Sequence, residues 1–215
     1  TVAAPLAINK LADLVRRECA YSGWIEVLPL ILCSHDENFS FLNRVDDGSS
    51  AIVLENPKTA EYQVVRTSLL PGLLKTVREN RKHALPLRTF EVSDIAFKDA
   101  SETERGARNQ RNVAAVYCDK AASFEVVHGL LDRLMLSLAI PRIEPHAPAK
   151  DKGYWIQQDH DNATFFPGRA ATIHLRLPSH HHNPGTATDA PPRSGAVETA
   201  TSALHTVKTA LENAL

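Results

Sequence analysis

NPKTAEYQVVRTSLLPGLLKTVREN, residues 56–80, followed by LRTFEVSDIAF, residues 87–97, decides how this chain folds. Asn56-Pro57 is a break, because proline removes a backbone donor and restricts the residue before it. From Ser68 to His83, Leu70, Leu73, Leu74 and Val77 recur at i, i+3, i+4 and i+7, with Lys75, Arg78, Arg81 and Lys82 off that stripe. That spacing predicts an amphipathic helix. Leu87 to Phe97 reads as a strand.

Working outward toward the N-terminus, Ala51 to Leu54 reads as a strand and Asp46-Asp47-Gly48-Ser49-Ser50 as a turn. Ser34-His35-Asp36-Glu37 fits a capping box, in which the Ser34 hydroxyl takes an amide of the first turn and Glu37 reaches back to the cap amide. A short helix to about Arg44 is expected behind it. Trp24 to Cys33 is an apolar, partly β-branched run that reads as a strand, with Pro29 confined to an edge or a bulge. From Pro5 to Ser22 the residues Leu11, Ala12, Leu14, Val15 and Cys19 form one helical stripe opposite Lys10, Asp13, Arg16, Arg17 and Glu18. Pro5 suits the first turn of that helix, and Gly23 suits a left-handed end.

Toward the C-terminus, Lys98 to Arg111 is a charged, polar stretch expected to be a loop, and Asn112 to Cys118 a strand. Ser123 is the expected cap of a helix to about Ala139, whose core face is Val127, Leu130, Leu131, Leu134 and Leu138. Tyr154 to Gln158 and Ala170 to Leu177 are the last strand candidates. From Pro178 the chain is rich in Pro, Gly, Ser, Thr and Ala, with His180-His181-His182 and no apolar period. Residues 178–215 are expected to be a disordered tail, with at most a marginal helix from Thr199 to Leu215. Residues 1–177 form the folded domain. Helices alternating with strands joined by polar turns predict an α+β fold with a largely antiparallel sheet.

The 215 residues carry Lys+Arg 24 against Asp+Glu 25, a formal net charge of -1. That excludes the whole-surface positive field of a histone-like or polybasic membrane-binding protein, so contact with nucleic acid must be local. No apolar run approaches the roughly 20 residues needed to cross a bilayer, and no signal-peptide pattern opens the chain. A soluble, cytoplasmic protein is expected. Cys19, Cys33 and Cys118 are far apart and lack C-x-x-C spacing, which implies a reducing compartment and no structural zinc. Position 1 is Thr, and a helix begins almost at once, so the chain is read as a segment of something larger.

Two stretches carry a resemblance. Gly23-Trp24-Ile25-Glu26-Val27-Leu28-Pro29-Leu30, directly after a helix, looks like motif 1 of the class II aminoacyl-tRNA synthetases, with the proline one residue early. Residues 56–80 and 87–97 closely resemble the β subunit of phenylalanyl-tRNA synthetase. The archaeal and eukaryotic cytosolic form fits best, because Ile31-Leu32-Cys33-Ser34, Phe124 to Arg133 and Phe165-Phe166-Pro167-Gly168-Arg169 match it in order. The likeness runs from about Pro5 to Leu177. The family would continue with a G-x-L-H-P strand and turn and then a closing strand, so the domain is read as incomplete at its C-terminal end.

The resemblance implies a class II catalytic-like fold that has lost catalysis, the active site belonging to the α subunit. It implies an (αβ)2 heterotetramer that uses ATP and magnesium to charge tRNA(Phe) with phenylalanine, with no cofactor expected on this chain and no membrane partner. The residues agree. Class II motif 2 uses F-R-x-E, its arginine gripping the ATP α-phosphate through a planar fork. Here the strand ends Phe97-Lys98-Asp99-Ala100: lysine replaces the arginine, and no acid stands at the last position. A glycine-rich motif 3 strand with its arginine does not appear. No catalytic or ATP-binding residue is therefore assigned.

Two competing readings are a stand-alone active class II ligase and an RNA-binding module. The second would use Arg78, Arg81 and Lys82 as phosphate or subunit contacts, together with Lys58, Arg66, Lys75 and Arg88. An ordinary solvated helix face explains the same residues, and no interleaved aromatics suggest base stacking. His128 reads as a packed or surface histidine. Asp159, His160 and Asp161 read as an exposed turn, and the His180 to His182 run as part of the tail, so no metal ligand is assigned.

Overall fold

Two strands, Leu87–Lys98 and Ala107–Cys118, pair antiparallel along their whole length, from Leu87 opposite Cys118 to Lys98 opposite Ala107. Among the described residues, helices at Ala7–Tyr21 and Phe124–Ser137 pack on one face of this hairpin and the start of the helix at Leu70–Glu79 on the other. The computed structural model describes residues 6–148, 150–176 and 209–210. In chain order the elements are α1 (Ala7–Tyr21), β1 (Ile25–Glu26), β2 (Leu32–Cys33), α2 (His35–Asn38), β3 (Val64–Val65), α3 (Leu70–Glu79), β4 (Leu87–Lys98), β5 (Ala107–Cys118), α4 (Phe124–Ser137), β6 (Gly153–Asp159), β7 (Ala170–Arg176) and β8 (Thr209–Ala210). Single 3₁₀ turns cover Ser40–Leu42 and Ala60–Tyr62.

Period-two alternation sorts the hairpin side chains between two cores. On one face Phe90, Val92, Ala115 and Tyr117 join Ala12, Val15 and Cys19 of α1, Trp24, and Val127, Leu130 and Leu134 of α4. On the other, Ile95, Ala114 and Val116 join Leu42 of the first 3₁₀ turn and Leu69, Leu70 and Leu73 at the start of α3. β6 and β7 form a separate antiparallel pair. Tyr154, Ile156, Ile173 and Leu175 from that pair pack on Leu131 and Met135 of α4.

The α+β class holds, but the main sheet is not antiparallel throughout. Its order is β1-β4-β5-β8. β1 runs parallel to β4, and β8 parallel to β5. α2 and α3 lie between β1 and β4 in sequence, and such a crossover returns the chain in its original direction, as a tight hairpin cannot.

Several expected boundaries move for identifiable reasons. The run expected as one strand over residues 24–33 is broken, with pairing kept at Ile25–Glu26 and Leu32–Cys33. Pro29 has no donor to offer a ladder and instead wedges against Gly72, where a Cβ would lie 2.6 Å from its own Cβ. Of residues 51–54, Val53 makes an isolated bridge to Val64. The loop expected over 98–111 shrinks to 99–106, because cross-strand ion pairs replace apolar burial at the projecting end: Arg111 meets Asp94 at 2.5 Å and Arg108 meets Asp99 at 3.0 Å. Gly106, at φ +60°, turns that corner. α3 stops at Glu79, short of His83, where the Asn80 side-chain amide donates to the Thr76 carbonyl at 2.8 Å.

Other expectations stand. The Ser34/Glu37 capping box is complete in both directions, although its helix is a single turn followed by the 3₁₀ turn. Gly23 ends α1 at φ +79°. Ser123 occupies the N-cap of α4, but its hydroxyl donates to the Glu125 carboxylate instead of accepting a backbone amide. Pro5 lies outside the described residues, as does most of 178–215. Within that tail, Thr209–Ala210 is a strand, not part of the helix expected over 199–215.

Candidate functional site

The segment between α1 and α2 presents apolar side chains to solvent. Ile25 is 65% exposed, Leu28 78%, Leu30 66% and Ile31 56%. A polar chain would be the neutral choice on an open surface, and contiguous large apolar groups mark a contact surface. The segment is held at both ends. Trp24 is buried under α1, the Val27 amide donates to the Phe90 carbonyl at 2.9 Å, and β2 pairs with β3. Its exposed side chains therefore sit on fixed backbone.

Beside this segment a cleft of about 290 Å³ opens between α3 and β2, walled by Pro29, Leu30, Leu32, Cys33, Pro71 and Gly72. Arg66 and Lys75 also line it. Lys75 pairs with Glu37 at 2.9 Å. Arg66 points inward and meets Glu91 at 2.7 Å, both side chains almost fully buried. Its Nε and Nη2 donate to the Asp94 carbonyl at 3.2 and 3.1 Å. Burial drives the Glu91 carboxyl above its ordinary pKa, and the Arg66 charge offsets this only partly. Burial also pushes the Cys33 thiol up to about 11, so it is a poor nucleophile at neutral pH.

At the far end of β4, Lys98 donates from Nζ to the Gly48 carbonyl at 2.9 Å, and its amide bonds the Ser50 carbonyl. Asp99, next in line, accepts from both the amide and the hydroxyl of Ser101, which lowers its pKa.

Residues 1–178 match the family described as "Phenylalanyl tRNA synthetase beta chain CLM domain". The chain belongs to that family. A phenylalanine-tRNA ligase beta subunit from Schizosaccharomyces pombe is 54% identical over 176 residues, which cover 82% of this chain and 29% of that protein. The Saccharomyces cerevisiae and Homo sapiens beta subunits are 51% and 46% identical over 176 residues, again 29% of each relative. This chain thus spans less than a third of the curated relatives it matches. Among solved structures, a pyrrolysyl tRNA synthetase from Desulfitobacterium hafniense superposes with a TM-score of 0.50 at 13% identity, over 79% of this chain and 52% of that one. That likeness concerns the fold alone.

The basic residues considered for RNA do not form one patch in this beta chain domain. Arg66 is buried in its ion pair, Arg88 lies 5.9 Å over the Tyr117 ring, and Lys75 is paired to Glu37. Arg78 pairs with its neighbour Glu79, and Arg81 donates to the Arg78 carbonyl just past the end of α3. Lys82 is exposed beside them. Arg78, Arg81 and Lys82 therefore stay together at one helix end, while Arg66 is buried and Arg88 half-buried against Tyr117. His128 stacks on Phe124 and lies 3.5 Å from Asp132, which also accepts from the Tyr154 hydroxyl. Asp159 accepts from the Asp161 amide, as expected of a turn. Among the described residues no group of three or more His, Cys, Asp or Glu could hold a metal ion, and no helix is long and apolar enough to cross a membrane.

The Arg66/Glu91 pair and the cleft were not foreseen from sequence. One signal pointed to the pair: Glu91 stands between the apolar residues Phe90 and Val92.

Proposed function

We propose that this chain is the catalytic-like domain of a cytoplasmic phenylalanine-tRNA ligase β subunit that scaffolds the α subunit and performs no adenylation itself. The complex would be an (αβ)2 heterotetramer that uses ATP and magnesium to attach phenylalanine to tRNA(Phe). The observation that carries the reading is the exposed apolar segment Ile25, Leu28, Leu30 and Ile31, held on fixed backbone in the position of class II motif 1. Family membership supplies the expectation of a partner, since the relatives are named beta subunits. One relative, from Arabidopsis thaliana, is named as cytoplasmic.

The residues at the motif 2 position do not suit an ATP α-phosphate. Lys98 lacks the planar fork of arginine, and its ammonium is already used on the Gly48 carbonyl. Asp99, which follows it, is used by Ser101. Transition-state charge on a phosphoryl group needs donors already aimed at it, and this site offers none. These points speak against a stand-alone ligase.

The test measures phenylalanine-dependent ATP–pyrophosphate exchange for this chain, for the α subunit, and for α with a full-length β subunit. Exchange is expected from the complex and not from this chain. Exchange by the chain alone, abolished by Lys98→Ala, would overturn the reading.

A further inference from the structure

We infer that the cleft between α3 and β2 is a socket for one large apolar side chain of the α subunit, so that docking is anchored there and not spread evenly over the exposed segment. The inference rests on the reading that this domain docks an α subunit. Three features of the cleft choose its occupant.

Charge is the first. Every charged residue that lines the cleft is already paired: Glu37 with Lys75, Arg66 with Glu91, and Glu79 with Arg78. An ionic ligand would find no unused counter-charge, and burying one without it is costly. Size is the second. At about 290 Å³ the cleft falls at the lower limit for small-molecule and cofactor sites, and it suits a single side chain better than a nucleotide. Position is the third. Leu30 both lines the cleft and belongs to the exposed segment, so the socket is continuous with the proposed contact surface. Binding energy at protein interfaces concentrates where a large side chain enters a preformed pocket ringed by polar groups. Here the Glu37/Lys75 pair and Glu79 lie around apolar walls. Those walls are preformed, because Gly72 and Pro29 already touch and leave no room for even one added methyl.

Thr76 lines the cleft from α3, and Thr76→Phe would fill it without altering the exposed segment. The full chain, Thr76→Phe and Leu136→Asp would each be titrated with purified α subunit, the last as an exposed site away from the cleft. Thr76→Phe is expected to weaken binding at least tenfold, with Leu136→Asp unchanged. Wild-type binding together with unchanged binding by Thr76→Phe would overturn the socket and leave docking intact. No binding by wild type would overturn the docking reading, and the socket with it.

Alkylation of the wild-type chain gives a second measurement that needs no variant. Cys33 lines the cleft, and Cys19, on the inner face of α1, is buried in the core against the hairpin. Added α subunit should slow Cys33 alkylation several-fold relative to Cys19. An unchanged ratio in the formed complex would overturn the socket.

Discussion

Arg66 and Glu91 form an ion pair of 2.7 Å beneath α3, their side chains 3% and 1% exposed. Removing one partner of such a pair strands a charge away from water, whereas removing both can be nearly neutral. Arg66→Met should therefore cost about 3–5 kcal/mol. The double variant Arg66→Met/Glu91→Leu should recover much of it. Burial holds the folded-state pKa of Glu91 above its unfolded value, and loss of Arg66 raises it further. A carboxyl shifted in that direction costs nothing at pH values below its unfolded pKa and destabilises progressively as pH rises through the folded one. The loss caused by Arg66→Met should thus be larger at pH 8 than at pH 4.5. Urea unfolding of the three proteins at both pH values decides, and a single variant no less stable than the double would refute the account.

Glu37 behaves in the opposite sense. Burial alone would raise its pKa, but hydrogen bonds from Lys75 and the Ser34 amide, with the charges of Lys75 and Arg78, outweigh burial and lower it. Stability from this group is complete above the unfolded carboxylate pKa and is lost as pH falls through the lower folded value. Glu37→Gln keeps the capping box but loses the ion pair with Lys75, so it should cost at most about 1 kcal/mol at pH 7. The gap from wild type should close toward pH 3. A gap that widened on acidification would contradict the assigned cause.

Helices and core faces were legible because leucine spacing survives without tertiary information: α3 and α4 fall where Leu70/Leu73/Leu74 and Leu130/Leu131/Leu134 place them. Strand ends were less so. Arg108 to Arg111 read as loop, since no local pattern reveals that Asp94 and Asp99 wait across the hairpin to receive the arginines. Residues 27–31 read as strand, since the apolar run is real but faces solvent in place of a neighbouring strand. Exposure of that kind reflects what a chain packs against, which its own residues do not encode. Resemblance supplied the family, chiefly from residues 56–80 and 87–97. The cleft could not be read, because it is made by Pro29, Cys33, Arg66 and Gly72, residues brought together only by folding.

Gly153 tests how tightly the β6/β7 pair is seated. A Cβ added there would lie 2.4 Å from the Pro141 carbonyl oxygen and 2.6 Å from Ile143 Cγ2, and a backbone atom cannot step aside cheaply. Gly153→Ala should destabilise by about 1–3 kcal/mol, the usual cost of overpacking. Gly129→Ala, on α4 with nothing within 4 Å of its would-be Cβ, should stabilise slightly through helix propensity. Thermal melts of the two variants should shift in opposite directions, and a shared direction would mean that the close approach at Gly153 relaxes.

The exposed segment makes the last prediction. Leu28 and Leu30 are 78% and 66% exposed, so their replacement removes little buried area from the isolated chain. Surface substitutions of this kind usually change stability by less than about 0.5 kcal/mol. Leu28→Lys/Leu30→Lys should therefore unfold at nearly the wild-type urea midpoint. The same change should reduce self-association and hydrophobic-dye binding, because the apolar patch that drives both is broken by charge. With α subunit present the two diverge: wild type should be stabilised by the partner, rising with the logarithm of its concentration above Kd, and the double variant much less, since only a species that binds the folded state raises stability. Sedimentation of the isolated chain and melting with and without α subunit separate these effects. A double variant that melts far below wild type on its own would show that Leu28 and Leu30 belong to the core and that the segment is no docking surface.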